Sequence, residues 1–206
     1  IKEGHKYLNT AIELGSVAAI NSMGLCYLNG TGVKKDKNKA IEYFEKAASN
    51  DYVYAHNNLG KIYEEDGDLK KAYEHYLFSA SLKESWASNK LGYWHLEGNF
   101  VEKDALKAYE YFSQALDVPL SILNYWAYYN LAKYFYRDGN YEASVEKDVS
   151  KAIDYFNKAL LGGITDAYLE LLEIYVSKYV KEQNDEYLDI INDYLKEYSV
   201  TESYDK

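Results

Sequence analysis

The sequence predicts an all-α protein, an α-solenoid built from stacked antiparallel helix pairs. Two recurring patterns carry this prediction. The first is Asp, two variable positions, Lys-Ala, an apolar residue, an acid and two rings, and it begins at Asp36, Asp68, Asp104 and Asp148. The second places an alanine four residues before Leu or Met and eight before a ring, and it begins at Ala19, Ala55, Ala87, Ala127 and Ala167. Self-similarity of this kind is typical of repeat proteins, whose units stack on their neighbours.

The alanine pattern predicts the first helix of each pair, which we call helix A. Residues four, five and eight positions after the alanine fall on one helical stripe, where small, branched and aromatic side chains pack together. In the first copy these residues are Met23, Gly24 and Tyr27. The fourth and fifth copies carry Ala132 and Leu172 in place of the glycine, and we expect the larger residues to open the local helix packing.

The aspartate pattern predicts where the second helix of each pair, helix B, begins. An aspartate in this position accepts hydrogen bonds from the free N–H groups of the first turn and meets the positive end of the helix dipole. In the first helix B, Ala40, Tyr43, Phe44 and Ala47 lie on one face, which predicts a buried stripe. The acidic run 64–68 is interpreted as a turn plus the next cap, because it lacks the twelfth-position glutamate of a calcium loop.

The repeat boundaries follow from these two patterns. Residues 1–18 fit half a unit, so we expect the chain to be a piece of a longer protein. Further repeats are predicted to begin near residues 19, 55, 87, 127 and 167. An insertion around Pro119 separates the third helix B from the next helix A, since proline ends a helix. We predict a repeat solenoid over residues 1–180 and a divergent capping helix and tail over 181–206.

The bulk composition excludes several classes of function. A net charge of -10 and a pI near 4.9 argue against a nucleic-acid-binding surface, which needs clustered Lys and Arg. A single cysteine, Cys26, excludes an internal disulfide and a zinc site built from cysteines. No signal-peptide pattern opens this sequence and no apolar run is long enough to span a membrane; with the single cysteine, these features favour a soluble, cytoplasmic protein as an expectation, while the sequence does not fix the compartment.

The four histidines do not predict a metal site. No two of them stand at the spacing that brings two ligands to one helix face: His5, His56, His75 and His95. His75 and His95 occupy ring positions of the repeat, so we predict that they pack in the core. No cofactor is expected.

The best candidates for partner binding lie on helix A, two, three and six residues after each alanine. Asparagine amides at these positions can both donate to and accept from an extended peptide backbone, and the lysines can pair with carboxylates. The candidates, which we call the helix A surface, are Asn21, Ser22, Asn57, Asn58, Lys61, Asn89, Lys90, Tyr93, Tyr129, Asn130 and Lys133.

The segment from Ala19 to Ala48 resembles the Sel-1-like repeat, a relative of the tetratricopeptide repeat. The matching residues are Ala19, Gly24, Tyr27, Gly30, Gly32, Val33, Asp36, Lys39, Ala40, Tyr43, Phe44, Ala47 and Ala48. The resemblance implies a right-handed superhelix in which helix A lines the concave side, so the helix A surface is expected to form a groove. Proteins of this family mostly serve as adaptors.

The function predicted from these observations is a non-enzymatic scaffold or adaptor that binds a peptide or protein in that groove. No nucleophile elbow, phosphate-binding glycine loop or cysteine with a partner histidine is present in the sequence. Two alternatives belong to other classes. One is the regulatory or ligand-sensing region of a larger enzyme or signalling protein, and the other is a small-molecule hydrolase.

Overall fold

The structure, a computed structural model, describes residues 2–117 and 124–204, and the regular elements in these residues are helices. They are α1 (Lys2–Glu13), α2 (Val17–Asn29), α3 (Lys37–Ala48), α4 (Val53–Glu65), α5 (Leu69–Ser81), α6 (Ser85–Glu97), α7 (Ala105–Gln114), α8 (Asn124–Leu131), α9 (Val149–Leu161), α10 (Asp166–Glu182) and α11 (Glu186–Tyr204). A π turn, Ala132–Tyr136, follows α8 directly. The all-α class of helix pairs is confirmed, and the even-numbered helices are the predicted A helices. The predicted insertion around Pro119 lies outside the described residues.

Two compact units divide the chain inside α6: unit 1 covers Ile1–Leu91 and unit 2 covers Gly92–Lys206. In unit 1 the pairs α2 with α3 and α4 with α5 make the most extensive contacts, and in unit 2 the pairs α8 with α9 and α10 with α11 do so. α11 covers the segment in which the sequence indicates a last helix, while its capping role stays a prediction. No helix in the described part of the chain is long and apolar enough to cross a membrane.

All four predicted aspartate caps are present. In each, a carboxylate oxygen accepts from the backbone N–H three residues later, which satisfies one of the free donors of the first turn. The N···O distances for Asp36, Asp68, Asp104 and Asp148 are 3.1, 3.2, 3.0 and 2.9 Å. The acidic run 64–68 is divided as predicted, since α4 ends at Glu65 and Asp68 caps α5.

The predicted packing stripe of helix B forms the core of each unit. Its small residues and its second ring are fully buried, as for Ala40, Phe44 and Ala47 in unit 1. The ring lies directly on the glycine of helix A: a β-carbon built on Gly24 would come within 2.7 Å of Phe44. Glycine at this position therefore permits the close approach of the two helices.

The first ring of helix B packs on the ring near the end of helix A. The ring centroids are 5.5 to 5.6 Å apart in all four pairs. The pairs are Tyr27 with Tyr43, Tyr63 with His75, His95 with Tyr111, and Tyr136 with Tyr155. His95 is 4% exposed, as expected for a core position, whereas His75 is only partly buried.

The fourth pair corrects one sequence assignment. Counting from Ala127 places Phe135 at the ring position of helix A, but the structure places Tyr136 there. The backbone N–H of Asp148 donates to the Tyr136 carbonyl at 2.9 Å, as that of Asp36 does to the Tyr27 carbonyl at the same distance. The cause is the π turn, which adds one residue to the helix. It begins at Ala132, where the first three repeats have glycine and where an alanine methyl needs more room.

Candidate partner-binding surface

The helix A surface is less exposed than its sequence positions suggest. Ser22, Asn58, Asn89, Lys90 and Lys133 are partly buried, while Lys61 and Tyr93 are exposed. The remaining four are buried, with exposed fractions of 4 to 8%: Asn21, Asn57, Tyr129 and Asn130. Because burial removes these four side chains from solvent, their contacts decide what the surface can bind.

In unit 1, two asparagines of the helix A surface join neighbouring A helices. The Asn58 Nδ2 group on α4 donates to Asn21 Oδ1 on α2 at 2.9 Å. Asn21 stands two residues after the alanine of its helix and Asn58 stands three residues after its own. We call such a contact between these two positions of successive A helices a rung.

Unit 2 contains a rung with different chemistry. The Tyr129 hydroxyl on α8 lies 3.5 Å from Glu170 Oε1 on α10, at the same two positions of successive A helices. Lys133 Nζ lies 2.9 Å from the same carboxylate oxygen and 3.0 Å from the Tyr129 hydroxyl. Arg137 donates to Glu170 Oε2. The hydrogen bond to Glu170 raises the pKa of Lys133.

Sequence reasoning missed Glu170, which is only 8% exposed and holds two cations. The signal that could have revealed it is its position, because it stands three residues after Ala167, as Asn58 does after Ala55. A buried carboxylate is stable only when it is paired and hydrogen-bonded. Lys133 therefore neutralises an internal charge in this structure.

The rung expected between Asn57 and Lys90 does not form, and we call this position the open rung. Lys90 Nζ pairs with Glu64 Oε1 at 2.7 Å, and Asn57 Nδ2 donates to Glu84 Oε2 at 2.9 Å. A carboxylate only accepts, so this contact fixes the amide orientation of Asn57 and leaves its oxygen on the other side. Asn57 Oδ1 is buried and has no hydrogen-bond partner among the described residues. Such an acceptor costs about 1–3 kcal/mol.

Glu64 also connects the open rung to the core. Its Oε2 accepts from the Tyr76 hydroxyl at 2.8 Å, while its other oxygen binds Lys90. Burial raises the pKa of Tyr76, and the hydrogen bond to Glu64 raises it further. Lys90 is thus held away from Asn57 by a carboxylate that is itself anchored to a fully buried ring.

Lys61 is the exposed cation of the helix A surface in unit 1. Its ammonium lies 4.5 Å from the centre of the Trp86 ring, within the range of a cation–π contact. This contact is worth about 0.5–1 kcal/mol at an exposed site, so an incoming carboxylate can compete for the charge. Lys61 lies on the same helix, α4, as Asn57 of the open rung.

Two histidines of one helix pair meet in unit 1. His56 on α4 and His75 on α5 lie with their Nδ1 atoms 3.0 Å apart. Within the ranges 2–117 and 124–204, no group of three or more side chains is arranged to hold a metal ion.

The repeated helix pair, capped by aspartate and closed by a glycine against a ring, defines an α-helical repeat protein of the tetratricopeptide-like class. The chain belongs to the Sel1 repeat family. The family model for the Sel1 repeat matches four segments that together exceed half of the chain: residues 17–52, 53–83, 87–117 and 127–164. Repeats of this family generally act as scaffolds for protein interactions.

Individual relatives agree with this assignment. The chain is 43% identical over 61 residues to HRD3B of Arabidopsis thaliana, described as an ERAD-associated E3 ubiquitin-protein ligase component. That match spans 29% of this chain but only 10% of the plant protein. The fold is similar to that of a Sel1 repeat protein from Oxalobacter formigenes, with a TM-score of 0.76, 26% identity, and coverage of 95% of this chain and 79% of that one.

A second solved structure shares the fold alone. It is c5321, a protective antigen of uropathogenic Escherichia coli with the same repeat fold. Its TM-score is 0.58 and its identity 22%, over 95% of this chain and 48% of that one.

Proposed function

We propose that this protein is a non-enzymatic scaffold that binds a peptide or protein segment through the helix A surface of unit 1. The family supports the class of function, because its repeats generally bind proteins. Within unit 1 the surface combines an exposed cation, Lys61, with the amide of Asn57, whose oxygen has no hydrogen-bond partner among the described residues. Partner segments of extended conformation are recognised through such amides, since the partner's backbone needs both donors and acceptors.

The observation that carries the proposal is the open rung at Asn57. An unpaired buried acceptor is a cost to the free protein, and a partner N–H group that reaches it by displacing the side chains that cover it removes this cost. The neighbouring rung between Asn21 and Asn58 is closed, so the open position marks one place along the A helices. We expect the partner to donate its hydrogen bond there and to present a carboxylate to Lys61.

The test begins with affinity purification from the source cells and mass spectrometry, followed by calorimetric titration of the identified partner fragment. Asn57→Leu removes the acceptor at similar volume, and we expect the dissociation constant to rise at least about tenfold, the equivalent of about 1.4 kcal/mol. Stability should change little, because the variant loses the bond to Glu84 but also loses the unpaired oxygen.

Asn38→Leu is the matched control, since Asn38 is an exposed asparagine on helix B rather than on helix A. We expect it to leave binding unchanged. Equal affinity of the wild-type protein and Asn57→Leu for the partner fragment would remove the open rung from the proposal.

The second candidate is a regulatory region within a larger assembly. It is favoured by the likeness to HRD3B, which is described as a component of a ubiquitin ligase. The two candidates differ in what co-purifies. A stoichiometric enzyme whose activity changes on addition of this protein supports the regulatory role, and an unchanged activity supports the scaffold alone.

A further inference from the structure

His56 and His75 form a contact in unit 1 whose charge can change as the pH falls below neutral. Their Nδ1 atoms are 3.0 Å apart and their ring centroids 5.2 Å apart, so the contact joins α4 directly to α5. A hydrogen bond between two ring nitrogens needs one donor and one acceptor. One of the two Nδ1 atoms must therefore be unprotonated.

The surroundings decide which nitrogen accepts. His56 Nε2 lies 3.3 Å from the Ala48 carbonyl oxygen, which can only accept, so Nε2 carries the hydrogen of the neutral ring. His56 Nδ1 is then the acceptor and His75 Nδ1 is the donor. The Phe78 ring stacks on His56 with the ring centroids 3.9 Å apart, and the Tyr63 ring stacks on His75 with the centroids 5.6 Å apart.

The charged and titratable groups around the pair come from helices α3, α4 and α5 and from the loop before α4. They are Glu45 on α3, Asp51 in the loop before α4, Tyr63 on α4, and Asp68 and Lys71 at the start of α5. Lys71 is paired with Asp68 at 3.2 Å, and Glu45 accepts from Tyr63 at 3.5 Å. Asp51 is the acid that favours a charged His56, while Lys71 disfavours a charged His75.

Burial lowers the pKa of both rings, and it lowers that of His75 to about 4, with further lowering by His56 and Lys71. The unfolded chain takes up protons near pH 6.5, where the folded pair does not. Stability from the pair is therefore complete above pH 6.5 and is lost as the pH falls towards 4. A first proton, taken up at His75 Nε2, leaves the hydrogen bond between the two Nδ1 atoms intact. A second proton, taken up at His56 Nδ1, places two N–H groups face to face.

We propose that His56 and His75 form an acid-sensitive latch, which holds α4 against α5 at neutral pH and releases it in acid. His56 immediately precedes Asn57, so release of α4 displaces the open rung. The partner-binding consequence rests on the function proposed above: acid is expected to weaken partner binding at unit 1. The latch itself does not depend on that function.

The repeats supply the variant that tests the latch. His75 stands where the other repeats have Tyr43, Tyr111 and Tyr155, so His75→Tyr replaces a titrating ring by the residue that the same site holds elsewhere. The measurement is hydrogen exchange of the α4 and α5 amides at pH 7.5 and pH 5.5, corrected for the intrinsic effect of pH. In the wild-type protein we expect the opening constant to rise about tenfold from His75 alone. In His75→Tyr the contribution of His75 should be absent, so the rise should be smaller and come from His56 alone.

A second variant and a control make the result decisive. His56→Gln keeps a polar side chain but cannot titrate, and it should reduce the response of α4 and α5, because it removes the titration of His56 and the part of the His75 pKa shift that His56 causes. His95→Tyr in unit 2 places at its site the ring found at Tyr27 and Tyr63, and the α4 and α5 response should persist. An equal response of the wild-type protein and both latch variants, or the lack of any response in the wild-type protein, would overturn the latch.

The binding measurement separates the two proposals. With the identified partner fragment, the affinity of the wild-type protein should fall between pH 7.5 and pH 5.5 in proportion to the fraction of molecules in which α4 is released, and that of His75→Tyr should fall less. Exchange that responds to acid while binding does not would support the latch and refute its link to unit 1 binding.

Discussion

Gly60 lies so close to Tyr76 that a β-carbon built on the glycine would come within 2.3 Å of the ring atom Cε1. Tyr76 is fully buried, so the ring has no free space into which it can move. We expect Gly60→Ala to lower the free energy of unfolding by about 3 kcal/mol through overpacking. Urea unfolding followed by far-UV circular dichroism measures this. Gly4→Ala is the control, because nothing lies within 4 Å of that position, and it should be neutral or stabilising.

The Asp36 cap gives a smaller and more specific prediction. Asp36→Ala removes the acceptor for the Lys39 N–H group, and we expect a loss of about 1 kcal/mol in the free energy of unfolding. Asp36→Asn keeps a side-chain oxygen at the same place and should retain most of the stability. Similar losses for the two variants would mean that charge, rather than the cap hydrogen bond, stabilises α3.

Glu170 and Glu173 allow a buried and an exposed carboxylate to be compared on the same arginine. Both pair with Arg137, but their side chains are 11% and 73% exposed. Glu170→Ala leaves two partly buried cations without their shared carboxylate, and we expect a loss of about 2–4 kcal/mol. Glu173→Ala should cost less than about 1 kcal/mol. Equal losses in urea unfolding would contradict the importance of the buried rung.

The titration of Tyr76 predicts that the fold loses stability at alkaline pH. Its raised folded pKa means that its stability contribution is complete below pH 10 and is lost as the pH rises above that value. Tyr76→Phe places there the ring found at Phe44, Phe112 and Phe156 and removes this titration. Between pH 8 and pH 11 the unfolding constant of the wild-type protein should rise about tenfold more than that of the variant. Urea midpoints at both pH values measure the difference, and parallel curves would refute it.

Features set within one helix were predictable from sequence. The cap at Asp36 depends on a contact three residues away, and the burial of Phe44 depends on helical spacing. Both follow from local geometry that the repeat displays several times. The same is true of His95, whose ring position indicates burial.

Features that depend on the register between helices were not predictable. His56 and His75 are 19 residues apart, and Tyr129 and Glu170 are 41 apart, so only the packed structure brings each pair together. The candidate lysines illustrate the difference. Sequence spacing placed Lys133 correctly on helix A, but it could not reveal that a buried carboxylate already neutralises its charge.

The π turn at Ala132 shows how the fourth repeat accommodates a larger residue. The extra residue is contained in the five positions of the π turn. The last of them, Tyr136, takes the place that Tyr27 holds in the first repeat. The π turn does not affect the start of the next helix, α9, whose cap at Asp148 forms as in the other repeats. An extra residue near the end of helix A can therefore be absorbed within one turn, so a repeat can change its length while the cap of the following helix B is retained.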